Sequence, residues 1–541
     1  GTTAEKSPNV LFIMTDDQDL HMNSLDAMPN VKSLIGEHGT TYNSHYCTVA
    51  LCCPSRVSLL TGKAAHNTNV TSLKMPYVWL QEGGVNAYYV GKLMNSHSID
   101  NYNHPFPKGW ANSSFLLQPG TYDYLNNIWG HGKKKPQRYH GQNALNLIRD
   151  NSLAMLDEAT KSDKPFFMAV APAIPHLGLN ASGHGTHWPV PLPKWAHSFN
   201  DKQVPRTKNF NPKNATGAGW MLNLHQQDAA TVAVGDDYYR ARLRALAGVD
   251  DMVADLIKAL EKKGILDNTY IVYTTDNGFH IGQHRLGPGK ECGIETDINI
   301  PLLMRGPDIP AGKTTSVVTT HTDMVQTFLQ MLKVTPSKKV SKDFDGTAIP
   351  YTQTGFSQKA NDRSEHVNVE YWGNGGTGDA VSKLYQSHIP GRDHNTYKAM
   401  RLIGQGWNLY YSVWCTGDHQ LYEMKNDPDQ IHNLLATEKH NGEITSHNIT
   451  QVPGEINGHK ITRVAERLDA LLMVLKSCKG NTCIDPWRHL HPQGNVKTLS
   501  DAMETKYDDF YKHQPKIKFS ECLSGYLIEA EGPQMASQYP H

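Results

Sequence analysis

No stretch of this 541-residue chain approaches the roughly 20 consecutive apolar residues that a membrane-spanning helix needs, so its pattern excludes such a span. The opening Gly1-Thr2-Thr3 also lacks the apolar core of a signal peptide, and the chain reads as a soluble, processed product. Net charge is absent: 52 Lys and Arg balance 52 Asp and Glu. That balance argues against a nucleic-acid partner and against a polybasic membrane-surface segment. No internal repeat is visible, which excludes a repeat array. What the chain does have is length, more than one core usually serves, so two domains are expected.

The organising stretch is Leu51-Cys52-Cys53-Pro54-Ser55-Arg56, continued to Leu59-Leu60-Thr61-Gly62. Pro54 suits a first helical turn and Gly62 the position past a helix end, so a short helix is expected between them. Cys52 then sits at the helix mouth, where unpaired N–H groups and the positive end of the dipole favour a tetrahedral oxyanion. Arg56, one turn in, adds a permanent positive charge on or near the same face. Taken alone, a Cys-Cys pair reads equally as two buried thiols or as disulfide halves.

Several apolar runs end in chemistry. Asn9 to Met14 reads as a strand buried on both faces and stops at Thr15-Asp16-Asp17. Ala87 to Val90 leads to Gly91-Lys92, and Phe166 to Ala171 leads through prolines to His176. Tyr270 to Thr275 stops at Asp276-Asn277-Gly278. Open α/β sheets place their ligands at such strand ends. Helices are expected from about Pro29 to Glu37, from Asn143 to Ala159, and along the stripe Leu243, Leu246, Val249, Val253, Leu256 and Leu260, which Gly264 ends. Residues 178–235 lack aliphatic periodicity and read as a substrate wall or lid, with Trp188, Trp195 and Trp220 as candidates to pack a ring. Lys290 follows a Gly-Pro-Gly turn.

The Cys-x-Pro-Ser-Arg string with Leu-Leu-Thr-Gly resembles the signature of type I, formylglycine-dependent sulfatases. The likeness runs from about residue 8 to 485. Within that family it points to the N-acetylglucosamine-6-sulfatase and arylsulfatase branch, on Leu51 to Arg56, Pro205 to Asn211, Leu266 to Tyr270 with Asp276-Asn277-Gly278, and Ser477-Cys478 to Cys483. The resemblance implies an α/β, alkaline-phosphatase-like sandwich: a large central mixed sheet flanked by helices, and a smaller C-terminal α+β domain with an antiparallel sheet. It implies hydrolysis of sulfate monoesters, of aryl or sugar 6-O type, by a formylglycine hydrate derived from Cys52. Asp16, Asp17, Asp276 and Asn277, with a hydroxyl at position 52, would hold a hard cation, Ca²⁺ ahead of Mg²⁺. Arg56, Lys92 and Lys290 would neutralise the sulfuryl group, and His176 would protonate the leaving oxygen.

One departure stands out. Many sulfatases carry Gly-Lys-x-His, whereas Met94 occupies the histidine position here and Asn95 follows. His66, His280 and His284 are the candidate substitutes as base, with Asn95 a further accessory group. Expected partners are a sulfated small molecule or carbohydrate and, during maturation, the formylglycine-generating enzyme. Two alternatives remain: a phosphodiesterase or phosphonate monoester hydrolase of the same superfamily, and a secreted glycan-binding homologue without turnover.

Five Asn-x-Ser/Thr sequons, at Asn69, Asn112, Asn180, Asn214 and Asn448, together with eight cysteines point to the secretory pathway or the extracellular space. Cys478 and Cys483 are expected to pair across a tight loop. If Cys52 is converted, seven cysteines remain, so at least one stays unpaired unless a bridge joins two chains. The domains are expected at 1–345, catalytic, and 360–541, with short alternating strands, a helix from about Val464 to Lys476, and a strap tied by Cys522.

Overall fold

The computed structural model describes all residues except 1–6, 69–79, 82, 360–363, 374, 376–384, 386–391, 441–442, 446–452, 535–537 and 541. Strand β1 (Asn9–Thr15) is buried along its whole length because both of its faces are covered. Val10, Phe12 and Met14 face one core, and Leu11 and Ile13 face the other. That two-sided burial explains the unbroken apolar run. The same holds for β7 (Phe166–Ala171) and β8 (Thr269–Thr275). With β2 (Thr40–Tyr42), β3 (Asn86–Gly91), β4 (Asn112–Leu116), β5 (Ile128–His131), β6 (Gln137–Arg138), β9 (Leu302–Arg305) and β10 (Lys313–Thr315), they form one ten-stranded sheet. Its order is β10-β2-β9-β8-β1-β7-β3-β4-β5-β6. The central run β8, β1, β7, β3 and β4 is parallel, while β9 and β5 pair antiparallel to it.

Helices cover both faces. Helix α1 (Cys52–Thr61) and α4 (Met324–Met331) lie on the Phe12 side. Helices α2 (Ala144–Ala159) and α3 (Ala229–Lys262) lie on the Ile13 side, where Leu145, Ile148, Leu246, Val249, Val253 and Leu256 fill the core. Helix α1 ends where expected, on Gly62 at φ 69°, but begins at Cys52 rather than Pro54. Helix α3 starts well before its aliphatic stripe, inside the stretch read as irregular. Asp228 caps it by accepting from the Thr231 N–H at 2.8 Å, and Tyr238 and Tyr239 pack its early turns into a separate cluster. A side-chain cap and aromatic packing thus replace the aliphatic stripe over those turns.

The C-terminal part carries a four-stranded antiparallel sheet, β11 (His366–Tyr371), β12 (Tyr397–Gly404), β13 (Trp407–Trp414) and β14 (His419–Glu423). Helix α5 (Ile461–Leu475) packs on it through Val464, Leu468, Leu471 and Leu475. Cys478 and Cys483 are bridged, and Cys522 is tied to Cys415. Cys47, Cys52, Cys53 and Cys292 remain thiols. Among the described residues no helix is long and apolar enough to cross a membrane.

Candidate active site

Register builds the site. β1 and β8 run parallel with Thr15 opposite Thr275, so Asp16 and Asp17 leave one strand beside Asp276 and Asn277 leaving the next. The Asp276 Oδ1 accepts from the Asp17 N–H at 3.0 Å and from the Asn277 N–H at 2.9 Å. On the other side β1 pairs with β7, which delivers His176, and β7 pairs with β3, which delivers Lys92. Helix α1 meets these ends with Cys52 in its first turn. The Cys52 Sγ lies 3.3 Å from Asp16 Oδ1, 3.7 Å from Asp17 Oδ1 and 3.3 Å from Lys290 Nζ.

Three cations answer three carboxylates. Lys92 Nζ is 2.5 Å from Asp16 Oδ2, and Arg56 Nε donates to Asp276 Oδ2 at 2.8 Å. Arg56 Nη1 also donates to the Lys92 carbonyl at 2.7 Å, and Lys290 donates to both oxygens of Asp17. Burial pushes the Asp16 carboxyl up, but Lys92 and Arg56 outweigh it and hold Asp16 well below the usual carboxylate range. Asp17 is likewise lowered, burial being outweighed chiefly by Lys290 and His176. Burial, reinforced by Asp16, pushes the Cys52 thiol well up against the pull of Lys290 and Lys92.

His176 is held in one orientation. Its Nδ1 is bonded to the Leu177 carbonyl at 2.7 Å, its ring stacks on Tyr122 with centroids 4.2 Å apart, and its Nε2 lies 3.7 Å from Asp17 Oδ2. Because a carbonyl only accepts, Nδ1 carries the hydrogen there and Nε2 is the nitrogen turned to the site. Tyr122 also lies under the Lys92 ammonium at 4.8 Å and accepts from Asn95 Nδ2 at 3.0 Å. Sequence reading missed Tyr122; the run Thr121-Tyr122-Asp123-Tyr124 lies at no strand end and carries no motif.

The three histidines expected as accessory groups have hydrogen-bond partners of their own. His66 is bonded to Glu370 at 2.9 Å and to the Cys478 carbonyl at 2.7 Å. His280 sits on Asp297 at 2.8 Å, and His284 pairs with Thr216 at 2.7 Å. Met94 is packed in the core beside Leu93. Trp220 is buried at 2 % exposure with its indole N–H on Asn395, so it does not face a cleft. Trp195 donates to Asp251, and only Trp188 of the three remains substantially exposed. Asn214 is exposed, Asn112 and Asn180 are half-buried, and Asn69 and Asn448 lie outside the described residues.

The residues at the strand ends could hold a metal ion. One atom each from Asp16, Asp17, Cys52 and His176 lie within 4.8 Å of one another. Asn277 Oδ1 is buried without a hydrogen-bond partner while its Nδ2 lies 2.8 Å from Asp17 Oδ1, so the amide offers an oxygen ligand beside that carboxylate.

The Sulfatase family profile matches residues 8–334. The chain is 32 % identical to an arylsulfatase of Volvox carteri over 96 % of its length and 82 % of that protein. It is 30 % identical to the N-acetylglucosamine-6-sulfatase of Homo sapiens over 95 % of its length and 89 % of that protein. A protein solved in complex with its substrate D-glucosamine-2-N,6-O-disulfate shares the fold, with a TM-score of 0.60 at 21 % identity over 79 % of this chain and 93 % of that one. With the strand-end acids, the Cys-x-Pro-Ser-Arg helix and the three buried cations in one place, these likenesses identify the chain as a member of the sulfatase family, a hydrolase of sulfuric esters.

Proposed function

We propose that the chain hydrolyses sulfate monoesters of aryl or sugar 6-O type, with residue 52 as formylglycine. The observation that carries this reading is the position of Cys52, at a helix start and within 3.3 Å of both Asp16 and Lys290. Once converted, residue 52 would supply a hydrated aldehyde whose hydroxyl serves as the nucleophile toward sulfur in place of the ester oxygen; sulfate would then leave by scission of its C–O bond to residue 52, with the second hydroxyl returning to C=O. Asp16, Asp17, Asp276 and Asn277 would hold Ca²⁺, with Mg²⁺ the second choice, which would supply Lewis-acid polarisation of a sulfate oxygen. Lys92, Lys290 and Arg56 offset the negative charge of the transferring group in a water-poor site, where such charges count most. In its imidazolium form, with Nδ1–H held by the Leu177 carbonyl, His176 would give the Nε2 proton to the leaving oxygen, and Tyr122 keeps the ring in place.

The resemblance to sulfated-sugar hydrolases supports a sulfated carbohydrate or sulfated small molecule as substrate, and the signature around Cys52 supports maturation by the formylglycine-generating enzyme. Sequons and two disulfides support a secreted or luminal location. A boundary between catalytic and C-terminal domains within 345–360 fits the end of the large sheet at Thr315 and the start of the small one at His366.

The test combines a peptide mass spectrum over residues 51–56 with turnover of an aryl sulfate against an aryl phosphodiester. Loss of mass at position 52, preferred cleavage of the sulfate, and a folded but inactive Cys52→Ala variant are expected. Full activity of Cys52→Ala would exclude this chemistry, and preferred cleavage of the phosphodiester would favour the alternative hydrolase.

A further inference from the structure

We propose that Arg242, on helix α3, is a positioning residue that holds three strand-end loops in register and thereby sets the affinity of the site for its cation; this rests on the reading of the site given above. The side chain is 1 % exposed and its guanidinium is spent on those loops. Nη2 donates to the Asp17 carbonyl and lies 3.6 Å from Asp19 Oδ1. Nη1 reaches the Pro175 carbonyl, immediately before His176, at 3.5 Å. The planar carbon sits 3.9 Å above the Phe279 ring, two residues past Asn277.

Asp17 shows why such a brace is needed. Its φ is 64°, in the left-handed region that side chains other than glycine adopt at a cost of about 1–2 kcal/mol. That twist turns the carboxylate toward Lys290, Cys52 and Asn277 and leaves the peptide carbonyl pointing to helix α3, where Arg242 takes it. A single rigid fork on a long helix thus touches the loop carrying Asp16 and Asp17, the loop carrying His176, and the loop carrying Asp276 and Asn277. Lysine offers one point charge and cannot both stack on Phe279 and span two carbonyls. Groups that orient metal ligands typically change metal affinity about 10- to 100-fold when replaced.

The experiment compares the full-length wild type with Arg242→Lys and Phe279→Leu. Ca²⁺ affinity is measured by calorimetric titration, checked by terbium luminescence, alongside Tm and kcat at saturating Ca²⁺. The expected result is a folded Arg242→Lys whose Ca²⁺ affinity falls about 10- to 100-fold, with kcat partly restored by excess Ca²⁺. Phe279→Leu keeps every polar contact of Arg242 and carries the same test, with a smaller loss, if the lysine variant does not fold. A lowered Tm with wild-type Ca²⁺ affinity in either folded variant would reduce Arg242 to a structural role and overturn the proposal. Wild-type protein that binds neither Ca²⁺ nor Mg²⁺ would overturn the reading of the site itself.

Discussion

The Lys290 ammonium stands between the Asp17 carboxylate, to which it donates, and the Cys52 sulfur 3.3 Å away. Its side chain is only 9 % exposed, so its charge acts in a low-dielectric setting. Replacing it by Met should lower kcat about 10²- to 10³-fold, the cost of losing one preorganised partner for developing charge. Steady-state kinetics with an aryl sulfate check this; an unchanged kcat would remove Lys290 from the site.

Asp276 accepts from Arg56 and from the N–H groups of Asp17 and Asn277. Asp276→Ala strands the buried Arg56 and should cost about 3–5 kcal/mol of stability along with cation binding and activity. Asp276→Asn keeps the shape and should lose cation affinity with a smaller drop in Tm. Calorimetry with Ca²⁺ separates the two effects, and an active, metal-free variant would refute Asp276 as a ligand.

Proton donation by His176 matters in proportion to the basicity of the leaving oxygen. His176→Asn should therefore slow a sugar or alkyl sulfate far more than 4-nitrophenyl sulfate, whose phenolate departs readily. Equal losses on both substrates would assign His176 to binding instead.

The Cys415–Cys522 bridge closes a separation of 107 residues, against 5 for Cys478–Cys483. Chain-entropy arguments assign about 5 and about 2 kcal/mol to loops of these lengths. Cys415→Ser with Cys522→Ser should lower the urea midpoint more than the matching change at 478 and 483. The reverse order would show that the longer loop is already constrained when unfolded.

Glu365 gives the stability a pH dependence remote from the site. Burial raises its carboxyl to about 7, although the Leu499 N–H and the Trp487 indole partly offset this. A carboxyl raised in the folded state holds its proton longer there than in the unfolded chain. Its contribution is complete below about 4.5 and is lost as pH rises through about 7. Glu365→Gln should flatten the fall in Tm between pH 5 and 8, and an unchanged slope would assign that fall to other groups.

Much of this was legible locally. The Asn9 to Met14 and Tyr270 to Thr275 runs announce doubly covered strands because burial on both faces leaves no room for alternation, and polar residues end each run. Helix α3 was legible only along its aliphatic stripe, since its early turns rest on an Asp228 cap and on tyrosines. Histidine environments were not legible in this way. A ring's partner depends on what folds against it, and Glu370 and Thr216 claim His66 and His284 from distant parts of the chain.

Local sequence supplies the reacting groups: a helix-mouth cysteine, oxygen-only acids at strand ends, and lysines behind glycines. The fold alone brings them together, because the Thr15 to Thr275 register spans 260 residues that no local pattern encodes. It also decided which groups support the site rather than form it. Tyr122 and Arg242 carry no motif, and their roles arise from close packing, where a side chain's function is set by the backbone it can reach.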